Sequence, residues 1–151
     1  HHKHAVAYLS AFGSLAPHLI AQVPDWLPAH AELIDVPGGP RLLHADLKDE
    51  HVLGFPMGSD FQPAAVIDWG RAMVGHPYYE LGPTYRRVCH SRSDLLARVL
   101  ETADLPGRAD PVFPRMGLAY LLLHAADSFN GSRDAIEARD LDDLAARIFG
   151  G

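Results

Sequence analysis

Leu43-His44-Ala45-Asp46-Leu47-Lys48-Asp49-Glu50-His51-Val52-Leu53 and, a little further on, Ala64-Ala65-Val66-Ile67-Asp68-Trp69-Gly70 decide how this chain is read. Each is a short apolar run that delivers an aspartate into a loop. A strand that stops at an Asp followed by polar residues sets a carboxylate at the rim of a rigid core, where it can meet a ligand. Two such carboxylates in succession point to one shared task. Arg41 to His44 reads as a first strand, Asp46 to Glu50 as loop, and His51 to Phe55 as a second strand. Pro56 to Pro63 reads as a turn around Gly58-Ser59-Asp60. Ala64 to Ile67 reads as a buried third strand, paired with the second as a hairpin. That pairing predicts His51 and Asp68 side by side at one end of a small sheet.

The order His44, Asp46, His51, Asp68 follows the register of kinase catalytic loops, H-x-D-x-x-x-x-N and then D-F-G. In that pattern the first Asp accepts the proton of a substrate hydroxyl. The residue five positions on and the later Asp bind metal. Trp69-Gly70 stands where the pattern has Phe-Gly.

The stretch resembles the C-terminal lobe of the aminoglycoside phosphotransferase family, whose pattern is H-G-D-L-H-x-x-N-V-L followed by V-I-D-W/F-x-x-A-x-x-G-D-P-x-Y-D-L. This chain reads His44-Ala45-Asp46-Leu47 to His51-Val52-Leu53, then Val66-Ile67-Asp68-Trp69-Gly70-Arg71-Ala72-Met73-Val74-Gly75-His76-Pro77-Tyr78-Tyr79-Glu80-Leu81. The resemblance implies an α+β, mostly helical, protein-kinase-like C-terminal lobe, with a small antiparallel hairpin carrying the catalytic loop. It implies ATP and Mg²⁺ as cofactors, a small-molecule hydroxyl as substrate, and antibiotic resistance as one role of such enzymes. On the matching positions, Asp46 is the catalytic base and His44 braces its loop. Asp68 is the metal ligand, and His51 either assists it on the metal or donates a hydrogen bond to it. Lys48 is a candidate for the phosphates. The ordinary readings are a turn Asp, a cap, a packed histidine and a solvated lysine. Two residues depart from the pattern: His51 replaces Asn, and imidazole suits Mg²⁺ less well than oxygen does. His76 replaces the Asp of G-D-P. Glu80 and Asp127 could face a cationic substrate.

The composition of the 151 residues is that of an ordinary globular chain, 48% hydrophobic and 21% charged, which suits one domain over 1–151. A formal net charge of −6 gives no basic stripe for nucleic acid. A single cysteine, Cys89, excludes an internal disulfide and reads as a buried thiol. No apolar run reaches membrane-span length and no signal peptide opens the chain, so the reading is cytoplasmic. The opening His1-His2-Lys3-His4 reads as the middle of a longer chain. No Gly-rich loop precedes the catalytic loop and no lysine sits in a V-A-I-K-like strand, so the ATP-gripping N-terminal lobe is expected from the rest of that chain.

Around the decisive stretch the pattern is helical. Residues 5–12 read as the end of a helix closed by Gly13, with Ser14 capping the next one. Leu19, Ile20, Val23, Trp26 and Leu27 recur at helical spacing, and Pro24 should bend or break that run. Helices are expected from Pro77 onward. Met116 to Phe129 is apolar on most faces and therefore central. Gly131 ends it, and Ser132 to Phe149 reads as one final amphipathic helix bearing Ile136, Leu141, Leu144, Ile148 and Phe149.

Two other classes compete. His44-x-Asp46 with His124 fits the two-histidine, one-carboxylate set of non-haem Fe(II) oxygenases, which need a many-stranded jelly roll. A non-catalytic, pseudokinase-like remnant that binds a partner would also accommodate His51 and His76.

Overall fold

The computed structural model describes residues 7, 9, 15–34, 39–103, 105, 110–124, 129 and 132–150. The expected helix over 5–12, with Gly13 and Ser14, lies outside them, as do Asp127 and Gly131. The helices α1 (Pro17–Ile20) and α2 (Val23–Ala29) come first, and the break between them falls at Ala21 and Gln22. Pro24 sits in the first turn of α2, where a missing N–H interrupts no helical hydrogen bond. Leu19, Val23 and Leu27 are buried, so the helical spacing continues through the break.

Four short strands follow, in two antiparallel pairs. The strand β1 (Arg41–Leu43) pairs with β4 (Met73–Gly75), placing Leu42 opposite Val74. The hairpin is β2 (Val52–Met57) with β3 (Asp60–Val66), and its register shifts between Leu53 and Gly54. The sequence reading missed β4, a three-residue strand with no alternation to betray it. It also set the hairpin turn too wide. The strands run through Pro56 and Pro63, and only Gly58 and Ser59 turn, with Gly58 at φ +66°. In a two-stranded ribbon each strand is an edge, which accommodates both prolines. A further correction concerns β3, expected to be buried: it is exposed along its whole length.

Past His76 the chain is helical: a 3₁₀ turn (Pro77–Glu80), then α3 (Leu81–Pro83), which runs on as a π turn (Thr84–Val88). The helices α4 (Ser93–Thr102), α5 (Phe113–His124), α6 (Arg133–Glu137) and α7 (Leu141–Phe149) follow. The helix α5 is central as expected, with Phe113, Met116, Leu118, Ala119, Tyr120, Leu121 and Leu122 all buried. It packs on α7, and their approach is close: a Cβ on Gly117 would lie 2.9 Å from the Phe149 ring. The final helix is two helices rather than one. Ser132 caps α6 by accepting from the Ala135 N–H, and Asp140, in extended backbone, caps α7 by accepting from the Asp143 N–H at 2.7 Å. Side chains that satisfy backbone donors locally compete with a continuous helix. The break turns Ile136 out to 74% exposure, against its expected place on the apolar face. Among the described residues no helix is long and apolar enough to cross a membrane.

Candidate active site

The β1 strand ends at buried Leu43, and His44, only 5% exposed, follows it inward. A carbonyl oxygen only accepts, so His44 Nε2 donates to the Ile67 carbonyl at 2.8 Å. The bond joins the residue two before Asp46 to the residue immediately before Asp68, so the two aspartate loops lie edge to edge. A second tie runs from the Ile67 N–H to the His51 carbonyl at 2.9 Å. The His44 ring stacks on His51, with centroids 5.4 Å apart, and leans on Trp69 at 4.9 Å. Trp69 is fixed in turn by its Nε1 donating to the Val66 carbonyl at 2.9 Å.

Both aspartate loops turn through left-handed backbone. Ala45 has φ +61°, and Asp68 has φ +61° and ψ +53°. Asp tolerates this region because its short polar side chain can bond locally; Ala has no such help. Ala45 is held by its N–H, which donates to Glu80 Oε1 at 2.7 Å. Glu80 is thus turned toward the Asp46 loop and its other oxygen is buried, so it does not face a substrate as the sequence reading allowed.

Asp46 is half-buried. Lys48 Nζ lies 3.7 Å and Arg71 Nε 3.8 Å from its Oδ2. Lys48 also reaches Glu50 at 3.8 Å, so it is held between carboxylates rather than freely solvated. His51 is 5% exposed, and its Nε2 lies 3.5 Å from Asp68 Oδ2 and 4.0 Å from Glu50 Oε1. The proximity of His51 and Asp68 expected from the hairpin is present. The sequence residues Asp46, His44, Lys48, His51 and Asp68 therefore gather on one rim. Asp49 and Glu50 add no metal cluster beside it: among the described residues no three His, Cys, Asp or Glu side chains are grouped to hold a metal. Asp49 instead faces His90 Nε2 at 3.3 Å.

The sequence reading missed Arg71, Ala45 and His90. Ala45 was within reach, since it occupies the glycine position of the family pattern and φ is positive there. Arg71 and His90 carry no local signal, because their roles come from tertiary placement. His76, in the place of the G-D-P Asp, keeps a capping function: its Nδ1 accepts from the Tyr78 N–H at 3.3 Å, and its ring stacks on Tyr120 at 5.3 Å. Burial, and then the Arg41 charge, hold this imidazole below its ordinary value of 6.5. Cys89 is buried, and desolvation pushes its thiol up to about 11, which fits an inert packing residue.

Comparison with known proteins yields no matching curated protein and no matching solved structure. Among the described residues the strands are four and short, in two pairs, and nothing there supports the many-stranded scaffold of the oxygenase alternative. The phosphotransferase enzyme family matches residues 3–118, a span that takes in both aspartate loops and the first half of α5. The chain, with its kinase-like fold, belongs to the phosphotransferase enzyme family.

Proposed function

We propose that this site transfers the γ-phosphoryl group of ATP to a hydroxyl of a small molecule, with Asp46 as the base and Asp68 on Mg²⁺. The observation that carries the reading is the His44–Ile67 bond, which sets the two carboxylates on one rim at the end of a buried brace. Asp46 orients the acceptor hydroxyl and takes its proton as the bond to phosphorus forms. Lys48 and Arg71, both within 4 Å of Asp46, lie where phosphate oxygens would gather charge. His51 Nε2 and Asp68 Oδ2, 3.5 Å apart, are the two side-chain atoms that would hold one divalent ion here. When bound there, the ion would supply charge neutralisation to the phosphoryl group in transfer. The reading includes an ATP-gripping lobe contributed by a longer protein, because a Gly-rich loop and a strand lysine are part of the same chemistry.

Asp46→Ala in the complete protein is expected to cut phosphoryl transfer by about 10² or more, the usual worth of a positioned base, with thermal unfolding unchanged. Unaltered turnover would sink the assignment. Mg²⁺-dependent ATP binding, followed by calorimetry on this chain and on Asp68→Ala, checks the metal half. Binding that needs Mg²⁺ and is lost in the variant supports it. A complete protein that binds Mg²⁺ and ATP yet transfers nothing to any hydroxyl would favour the partner-binding remnant.

A further inference from the structure

The two buried histidines of the site are not equivalent. His44 has its Nε2 proton committed to the Ile67 carbonyl, so it is a brace with no lone pair to offer on that side. His51 is as deeply buried, and among the described residues its Nδ1 has no hydrogen-bond partner. Nothing on the ring's far side therefore fixes its tautomer, and Nε2 is free to present a lone pair toward Asp68 Oδ2, 3.5 Å away. Adjacent donors on an octahedral ion sit about 3 Å apart at bond lengths of about 2.1 Å, so a small closure of this pair completes the bite.

A donor pair of one imidazole nitrogen and one carboxylate oxygen is a poor match to Mg²⁺, which favours oxygen and releases water reluctantly. First-row transition ions accept nitrogen readily and bind carboxylate and phosphate oxygen as well. We propose that His51 makes this a site for a first-row divalent ion such as Mn²⁺ in preference to Mg²⁺. The inference rests on the reading of Asp68 as a metal ligand and adds the choice of ion. A His51 that merely donates its Nε2 proton to Asp68 would leave that choice unchanged.

The test uses amide NMR of the isotopically labelled chain, so that no activity is needed and the spectrum itself reports folding. Micromolar MnCl₂ should broaden the amides of His51 and of residues 67–69 first. Restoring them should take at least about tenfold more MgCl₂, relative to Mn²⁺, in the parent chain than in His51→Asn, the scale on which a lost ligand interaction changes metal affinity. His51→Gln, which also replaces nitrogen by amide oxygen, should behave like His51→Asn and stands in if that variant fails to fold. An equal Mg²⁺ requirement in parent and variants, with broadening still centred on Asp68, would overturn the ion preference and leave the Asp68 site standing. Absence of broadening around residues 51 and 67–69 in the parent would overturn both.

Discussion

Ala45 concentrates the physics of the site in one residue. Its φ of +61° places an L-residue where Cβ crowds the backbone, at a cost of about 1–2 kcal/mol. The short, charge-assisted bond from its N–H to Glu80 Oε1 offsets that cost. Glycine takes this conformation without crowding. Ala45→Gly is therefore expected to stabilise the chain by about 1 kcal/mol, less whatever glycine adds to the freedom of the unfolded chain. Urea unfolding of the two chains measures it, and a destabilised glycine variant would contradict the strain. The aspartates themselves were legible because a family pattern of residue types survives substitution around them. The left-handed turn was legible only indirectly, and the Glu80 bond not at all: an acidic residue facing solvent and one facing a backbone N–H read alike in a sequence.

Legibility at the scale of elements followed burial. The helix α5 was plain because an all-round apolar stretch has one stable place, the centre. The pairing of the hairpin strands was legible from the apolar run that leads to Asp68, but neither the tight turn nor the exposure was: β3 presents residues such as Phe61 to solvent, at 55% exposure. The break at residues 138–140 escaped because Ile136 fits the helical stripe in sequence, while the Asp140 cap decides the outcome. The contact between α5 and α7 makes its own prediction. Gly117→Ala would gain about 1 kcal/mol of helix propensity. The added methyl, 2.9 Å from three atoms of a Phe149 ring that is itself buried, would force α7 outward. Overpacking of this kind costs about 1–3 kcal/mol. The net expectation is a loss of up to about 2 kcal/mol, read from the unfolding midpoint. A more stable Gly117→Ala chain would mean that α7 shifts without cost.

For the molecule as a whole, the joint between the strand region and the helical core is a titratable one. His76 follows β4, caps the 3₁₀ turn that carries Glu80, and stacks on Tyr120 of α5, so one ring touches the site's support and the core together. Its Nδ1 must stay unprotonated to accept the Tyr78 N–H, and both burial and Arg41 favour the neutral form. With its folded pKa below 6.5, the unfolded chain takes up this proton first as pH falls. The stabilisation is thus complete above about pH 6.5 and declines below it, by no more than about 1.4 kcal/mol per pH unit for a single proton. The carboxylates that the fold holds down, such as Asp142 beside Arg115 and Asp143 beside Arg139, begin from 3.8 and titrate at more acid pH. His76→Asn keeps an acceptor for the Tyr78 N–H and removes the proton site. Unfolding free energies between pH 7.5 and 5 should therefore fall more steeply for the parent chain than for His76→Asn. Parallel curves would show that protonation elsewhere governs acid sensitivity and that the His76 joint is only a packing contact.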